Sequence, residues 1–248
     1  MDKTTNPVGQ TAINLASFLK KGERCRNCDR REGSLCAVLT CEELDRMDDI
    51  MTWVKKDPGQ TIFTEGDDLD YYFNITEGAV RVVKLLPDGR RAILDFLFKG
   101  DFLGLNSEGQ YAYSAEAITP VKLCCFPRGK LQNLFGEIPK METRLLRIYT
   151  EKLVAGQKQL TDLARKSPRE RLAAFLLTIS EKEGLKTGTD SFKLPMSRED
   201  ISDYLGLTIE TISRTLSAFS RENLIKINKF KIITILESAK IREIAEGG

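Results

Sequence analysis

Short apolar stretches separated by glycines fill residues 53–127 of the chain. A Pro-Asp-Gly turn at residues 87–89 joins the apolar run 82–85 to the apolar run 92–96. Short strands bounded by turn residues at such intervals are typical of a closed or rolled antiparallel sheet. The pattern predicts a β-roll, a double-stranded β-helix of the cupin-like kind, over residues 53–136 of an α+β chain that continues with helices.

A long helical pattern follows Pro139 and is free of glycine and proline until Gly156. One apolar stripe repeats every three or four residues and consists of Leu146, Tyr149, Leu153, Gly156, Leu160 and Leu163. This is the a/d spacing of a helix that packs on another helix. A second stripe is formed by Met141, Leu145 and Ile148.

Two apolar stripes on one helix need two partners. We predict that residues 137–166 form a dimerisation helix whose second stripe packs on the roll. The predicted dimer-interface residues are Leu146, Tyr149, Leu153, Gly156 and Leu160. The alternative is that both stripes lie in the core of a single chain.

A break at Ser167 and Pro168 ends this helix and marks the predicted domain boundary. Residues 169–183 are predicted to form a new helix, which a turn rich in glycine and threonine follows at 184–190. Residues 167–248 are therefore predicted to form a separate C-terminal domain.

Two short helices and a hairpin are predicted within that domain. Ser197 is a suitable N-cap for the first helix, and Thr208 is a suitable N-cap for the second. Gly206 is suited to the turn between them. Residues 224–233 alternate between apolar and polar, as the strands of a hairpin do. Together these elements predict a winged helix-turn-helix.

The second of these short helices has two distinct sides. Its apolar stripe consists of Ile209, Ile212, Leu216 and Phe219. The opposite side carries an arginine, a carboxylate and hydroxyls, which match guanine O6 and N7, the cytosine amino group and other base edges of a major groove. The candidate DNA-binding residues are Thr208, Glu210, Ser213, Arg214 and Ser217. On an isolated surface helix they would be a solvated ion pair, but the neighbouring helix, turn, cap and hairpin favour DNA recognition.

Composition restricts the chemistry further. The chain has 248 residues, a size that indicates two domains, and a formal net charge of +2, so that any DNA binding depends on a local patch. It contains no histidine, which excludes Ser-His-Asp and Cys-His nucleophiles, histidine-ligated haem and the common zinc fingers. No other constellation indicates catalysis, so we expect a binding protein and not an enzyme.

The N-terminal segment, residues 1–52, begins with a polar stretch over residues 1–24 that is predicted to be a mobile leader. It lacks the apolar run of a secretory signal, and no run in the chain approaches the ~18 residues of a membrane span. We expect a cytoplasmic protein without membrane association, in a reducing environment where structural disulfides are rare.

Three of the six cysteines lie within twelve residues: Cys25, Cys28 and Cys36. They are close enough for one metal centre, and the charged residues around them argue against an apolar pocket. A fourth thiolate has to come from Cys41, Cys124 or Cys125. Adjacent strand side chains point to opposite faces, so only one of the last two can be a ligand. Thiolates suit zinc as well as iron–sulfur clusters, and a thiol redox switch is a third reading.

The stretch from Ile201 to Arg214, ISDYLGLTIETISR, resembles the helix-turn-helix signature of the cyclic-AMP receptor and fumarate/nitrate reductase regulator superfamily. The likeness runs over the chain from about Cys25 and includes the roll, the long helix and the helix restart at 169–173. Glu210-x-x-Ser213-Arg214 points to the fumarate/nitrate regulator branch, whose half-site resembles TTGAT. The resemblance implies that the arginine reads the G·C pair and that the serine helps to read thymine.

Oxygen-sensing members of that branch hold a [4Fe–4S] cluster with three N-terminal cysteines and one central cysteine three residues before a proline. The resemblance therefore implies Cys25, Cys28, Cys36 and Cys124 as the metal ligands. Cys41 stays an alternative, because the spacing between Cys28 and Cys36 is longer than in the best-known members. Otherwise Cys41 and Cys125 are expected to be small buried side chains.

The resemblance also implies a function. A homodimer with an intact cluster would bind a TTGAT-like palindrome in double-stranded DNA, activate or repress genes of anaerobic metabolism, and release the DNA when oxygen destroys the cluster. RNA polymerase is an expected partner, with the loop 86–90 as one contact surface. The alternative is a regulator of the same superfamily that is structured by zinc or responds to a small ligand and does not sense oxygen.

The superfamily's cyclic nucleotide pocket corresponds here to residues 104–106 and 112–114. The ribose-binding carboxylate and the phosphate-binding arginine are missing from these positions. We therefore expect no cyclic nucleotide to bind, and the roll to be a transmitting scaffold.

Overall fold

The structure is a computed structural model that describes residues 24–26, 28, 33–104, 106, 109–182, 191–229 and 231–247. The predicted leader, apart from Arg24, and the predicted turn at 184–190 lie outside the described residues. The described chain divides into two compact units. The first comprises residues up to Val80 together with Lys99–Leu145, and the second comprises Arg81–Phe98 together with the chain from Leu146 onward.

Eight short strands build the roll, and the prediction of an antiparallel roll in an α+β chain is confirmed. The strands are β1 Thr52–Lys56, β2 Thr61–Phe63, β3 Tyr71–Glu77, β4 Val80–Leu85, β5 Arg91–Leu97, β6 Phe102–Leu103, β7 Ser114–Ala117 and β8 Val121–Pro127. They form two four-stranded sheets of order β1-β8-β3-β6 and β2-β7-β4-β5. The predicted hairpin over residues 82–96 is β4 and β5, joined at the Pro-Asp-Gly turn.

Strand β8 is the centre of the first sheet, because it pairs antiparallel with both β1 and β3. Its side chains from Leu123 to Phe126 are all buried, so both faces of this strand are covered. The turn after β3 requires a glycine: Gly78 has a φ of +91°, and a Cβ there would lie 2.3 Å from the Pro120 carbonyl oxygen.

Two helices of the first unit were not predicted. Helix α1, Cys41–Ile50, begins with a capping box in which Thr40 and Glu43 exchange hydrogen bonds. This Thr-x-x-Glu signal is visible in the sequence, so the helix could have been found. Helix α2, Arg128–Glu137, follows β8 directly, and its glycines, Gly129 and Gly136, mask its helical pattern.

Helix α3, Pro139–Arg165, is the predicted long helix. On its second stripe Met141 and Ile148 are buried. The predicted seam is open to solvent, with Leu146, Leu153 and Leu160 exposed by 67%, 63% and 69%. The alternative in which both stripes lie in the core of one chain is therefore wrong for the seam.

The C-terminal part of the second unit has the predicted winged helix-turn-helix order. Its elements are α4 Pro168–Lys182, β9 Ser191–Lys193, α5 Arg198–Leu205, α6 Ile209–Arg221, β10 Ile225–Ile227, β11 Ile232–Ile235 and α7 Ser238–Glu246. The predicted hairpin is β10 and β11. Strand β9, which was not predicted, pairs with β11 and completes a three-stranded sheet of order β10-β11-β9.

Asp200 joins several parts of the second unit. Its Oδ2 accepts hydrogen bonds from the backbone N–H and the hydroxyl of Ser197, both at 2.9 Å, which caps α5. Its Oδ1 accepts from Arg81 at 2.8 Å and from Arg91 at 3.2 Å, two arginines of the β4–β5 hairpin. The buried carboxylate is thus fully paired, as a buried charge has to be.

A single arginine organises the end of α3. Arg171 donates to the carbonyl oxygens of Leu163 at 2.8 Å, Lys166 at 2.9 Å and Leu205 at 3.0 Å. These carbonyls belong to the ends of α3 and α5, where helical partners are missing.

Among the helices of the described segments, none is both long and apolar enough to cross a bilayer.

We predict that Gly156→Asp weakens the dimer. A Cβ at Gly156 meets no atom of its own chain within 4 Å, so the substitution is tolerated within one chain. In a parallel helix pair it would place two carboxylates face to face in a desolvated seam, where like charges repel. The dimer dissociation constant, measured by analytical ultracentrifugation with the metal site loaded, should rise.

The matched control is Gly136→Asp, at an equally open glycine of helix α2. It should leave the dimer constant unchanged. Equal constants for wild type and Gly156→Asp would remove this stripe from the dimer interface.

Candidate functional site

Local turns bring the N-terminal cysteines together. The Cys28 N–H donates to the Cys25 carbonyl at 3.4 Å, which closes a turn between these two. Buried Ser34 accepts a hydrogen bond from the Cys36 N–H at 3.2 Å and so caps a 3-10 turn, Leu35–Val38. Cys25 is buried, whereas Cys28 and Cys36 are partly exposed.

The pKa values of the thiols show which cysteines are neighbours. The pKa of Cys25 is raised by burial and further by the charges of Cys36, Asp48 and Cys28. The pKa of Cys124 is raised well above its usual range by burial, and then by repulsion from Cys25, Cys36 and Cys28. Such repulsion acts at short range in a protein, so the four predicted ligands lie in one neighbourhood.

Cys125 lies on the other side of strand β8. Burial raises its pKa to about 12, against a hydrogen bond with Thr52. Its charge contributes to raising the pKa of Tyr111, whose ring stacks on that of buried Phe63 at 3.9 Å. Cys125 therefore faces the buried aromatic side chains of the roll, and the prediction that Cys124 and Cys125 point to opposite faces is confirmed.

Cys41 differs from its prediction. It is exposed, not buried, because it is the first residue of α1, directly after the cap Thr40.

The described residues contain no group of three or more potential ligands already arranged around a metal ion. The four thiols are thus neighbours without being in coordination geometry. Their chemistry fits a centre of four thiolates, and their assignment as ligands stays a prediction.

Ion pairs connect the cysteine segment to α1. Arg24 lies 2.9 Å from the buried Asp48 carboxylate and also donates to the Asp48 carbonyl at 2.9 Å. Arg26 pairs with Asp45 through two hydrogen bonds. Sequence reasoning noted these arginines only as polar neighbours of the cysteines. Their partners on α1 depend on a helix that was not predicted.

The candidate DNA-binding residues share one side of α6, as predicted. Glu210, Arg214 and Ser217 are exposed, and Ser213 is partly exposed. The pKa of Glu210 is lowered by its own backbone N–H, by Thr208 and then by Arg214. On the opposite side Ile212, Leu216 and Phe219 are buried. Ile209, predicted to belong to that stripe, is instead 43% exposed, because it lies in the first turn at the open end of the helix.

Hydrogen bonds define what each hydroxyl on α6 can do. Thr208 accepts from the Thr211 N–H at 3.2 Å and acts as the predicted cap. Ser217 donates to the Ser213 carbonyl at 2.8 Å, which commits its proton to the helix. The Ser213 hydroxyl accepts a hydrogen bond from the Arg198 guanidinium at 2.8 Å, so it can still donate its own proton to a DNA acceptor. Arg198 was not among the predicted residues, although its position directly after the cap Ser197 could have indicated it.

Comparison with known proteins matches the roll and the winged helix-turn-helix separately. A cyclic nucleotide-binding domain model matches residues 53–137, and a Crp-like helix-turn-helix domain model matches residues 170–244. The chain is 38% identical over 225 residues to the nitrogen fixation regulation protein FixK of Bradyrhizobium diazoefficiens, covering 90% of this chain and 94% of that protein. It is 32% identical over 227 residues to the fumarate and nitrate reduction regulatory protein of Vibrio cholerae, covering 89% and 90%.

A solved structure is also similar. The structure of FixK2 from Bradyrhizobium japonicum matches with a TM-score of 0.74 and 31% identity, over 79% of this chain and 97% of that chain.

We predict that Arg214→Ala relaxes recognition of the G·C pair in a TTGAT-like half-site. An arginine fork matches guanine O6 and N7 together, so its loss should cost ~1–3 kcal/mol per half-site on the matched site and less on a site without the guanine. Binding of wild type and variant to both palindromes, each across a salt series, measures this.

Arg221→Ala, at an exposed arginine in the last turn of the same helix, is the charge control. A phosphate contact would weaken binding to all sequences alike and lower the salt slope by about one. If Arg214→Ala behaves in that way, Arg214 is a backbone anchor and not a base reader.

Proposed function

The chain belongs to the cyclic-AMP receptor and fumarate/nitrate reduction regulator superfamily, and on that premise we propose that it is an oxygen-responsive member with an iron–sulfur cluster. As a transcription regulator of the FixK and fumarate/nitrate regulator type, it binds DNA through its winged helix-turn-helix. The cluster, the DNA sequence and the response to oxygen are the content of the proposal.

One observation carries the proposal: four thiols from distant parts of the chain lie in one neighbourhood. Cys25, Cys28 and Cys36 come from the N-terminal segment, and Cys124 comes from the outward face of β8. Deprotonating neighbouring thiols, two of them buried, is unfavourable unless a cation takes up the charge of the thiolates. Their donor set matches a [4Fe–4S] cluster, and we assign these four cysteines as its ligands.

A bound cluster would supply a link between the N-terminal segment and the roll that oxygen can destroy. The residues of the chain do the rest. Ser34 holds the backbone of Cys36, and Arg24 and Arg26 tie the segment around Cys25 to α1. Without a shared centre, the segment would depend on contacts of this kind.

In the DNA-bound dimer, two α6 helices would enter successive major grooves about 34 Å apart, the spacing of the two halves of a palindrome. Arg214 is proposed to read the guanine of a TTGAT-like half-site and Glu210 the cytosine amino group. Ser213 is proposed to contact a thymine. Its hydroxyl, already accepting from Arg198, would donate to an acceptor such as thymine O4.

We further propose that the roll transmits a signal without binding a cyclic nucleotide, and that the protein is not an enzyme. Buried Phe63 and Tyr111 stack in the roll, and the Tyr111 hydroxyl donates to the Tyr71 carbonyl at 2.8 Å. The turn at residues 86–90 between β4 and β5 is proposed to contact RNA polymerase, supported by the exposure of Leu85 and Leu86 beside it.

Anaerobic purification tests the proposal directly. An iron–sulfur protein would be brown, contain about four iron and four sulfide per chain, and bleach in air as DNA binding is lost. A colourless protein with one zinc per chain and DNA binding that air leaves unchanged would establish the zinc-structured alternative.

We predict that serine replacement of Cys25, Cys28, Cys36 or Cys124 abolishes stable cluster retention, because one missing thiolate leaves an open iron position. Cys41→Ser and Cys125→Ser are the matched controls and should retain the cluster. Iron and sulfide are measured after anaerobic reconstitution. Retention by Cys124→Ser together with loss by Cys41→Ser would show that the fourth ligand is Cys41.

A further inference from the structure

Arg144, near the start of helix α3, holds the loop that leads into Cys36. Its Nε donates to the Ser34 carbonyl oxygen at 3.1 Å, and its Nη2 donates to the Gly33 carbonyl oxygen. One guanidinium thus binds two consecutive main-chain carbonyls, for which its planar fork is suited. The partners lie 110 positions apart in the chain, so no sequence pattern indicates the contact.

The loop at this point has little freedom. Gly33 has a φ of +83°, which favours glycine, and Ser34 is 1% exposed. The Ser34 hydroxyl accepts from the Cys36 N–H, so the backbone that Arg144 holds also orients a proposed ligand. Arg144 therefore acts on Cys36 through Ser34.

The same helix that carries Arg144 also carries the predicted dimer seam. Leu146, the first residue of the seam, follows Arg144 by two positions on the continuous helix α3. A second contact ties the start of α3 to the N-terminal segment, because Lys140 lies 2.5 Å from Glu43 of α1. The start of α3 is thus held by α1 at Lys140 and by the cysteine loop at Arg144.

We propose that Arg144 is the positioning residue that communicates occupancy of the four-cysteine site to the dimer seam. The proposal rests on the proposed function, in that a metal centre occupies the cysteines. With the site loaded, Cys36 is fixed and its loop presents the Gly33 and Ser34 carbonyls to Arg144. With the site empty, the loop regains backbone freedom and Arg144 loses its partners.

Thermodynamic linkage makes this measurable. If loading of the metal site strengthens the dimer by some factor, replacing the residue that carries the coupling must reduce that factor. The experiment compares the dimer dissociation constants of loaded and metal-free protein by sedimentation equilibrium under anaerobic conditions. The full chain is used as wild type, Arg144→Gln and Arg144→Lys. Arg147→Gln, at an exposed arginine of the same helix, controls for loss of charge.

In wild type the metal-free constant should exceed the loaded constant by a factor of about 5–150, the usual range of such couplings. In Arg144→Gln this ratio should fall at least about fivefold, while the metal-free constant stays within about twofold of wild type. Arg144→Lys keeps the charge without the fork and should lie between the two. Arg147→Gln should resemble wild type.

An Arg144→Gln protein that is fully loaded and keeps the wild-type ratio would overturn the proposal. The proposal would also be overturned if Arg144→Gln shifted the metal-free dissociation constant as much as the loaded one. An effect of Arg147→Gln equal to that of Arg144→Gln would overturn it too. If Arg144→Gln fails to hold metal while its metal-free dimer is normal, its role in placing Cys36 is supported, and the ratio for Arg144→Lys then decides the coupling.

Failure of the proposed function would appear elsewhere, as wild-type protein that holds zinc in place of iron or no metal at all. The zinc-loaded protein would still give a ratio for each variant.

Discussion

Helix α3 carries more apolar surface than its own chain covers, and the rest of the proposed mechanism depends on this. Its Met141 side is buried, whereas the leucines of the seam remain largely in solvent. Burying a leucine side chain contributes about 1.5–3 kcal/mol, so a row of them favours a second helix strongly. A dimer formed along this seam would have two copies of α6, one for each half of a palindrome.

The cysteine site has the opposite problem, because its thiolate forms would repel one another. Burial and like charge both raise the pKa of Cys25 and Cys124, so the thiolate forms are unfavourable without a cation. Metal binding would therefore release protons and stabilise the arrangement of the segment at the same time. Arg24, Arg26 and Arg144 hold that segment from outside, through carboxylates or main-chain carbonyls. A bound metal would supply stability, and these contacts would decide which elements respond to its loss.

The DNA-binding unit shows how one polar residue can serve both structure and recognition. Asp200 caps α5 and at the same time binds two arginines of the β4–β5 hairpin. Two positions before it, Arg198 donates to Ser213 on the recognition helix. The start of α5 thus connects the hairpin to the surface that is proposed to read bases.

The sequence by itself determined the elements whose signals are local. The 3.6-residue period of α3 and α6, the caps Ser197 and Thr208, and the left-handed Gly206 each involve neighbours within a few residues, so the pattern contains the whole interaction. The same holds for the hairpins. Helix α1 carried a local signal too, in its capping box, although the prediction passed over it.

Only the tertiary structure decided which distant residues meet. Strand β9 has three residues and exists because β11 pairs with it, and the exposure of Cys41 and Ile209 follows from where their helices begin. Alternation along β8 showed that Cys124 and Cys125 face apart, but not which of them faces the N-terminal cysteines. Arg144 meets Ser34 across 110 positions, and Arg81 meets Asp200 across 119. Such contacts depend on how the whole chain closes on itself, which no local spacing of residue types encodes.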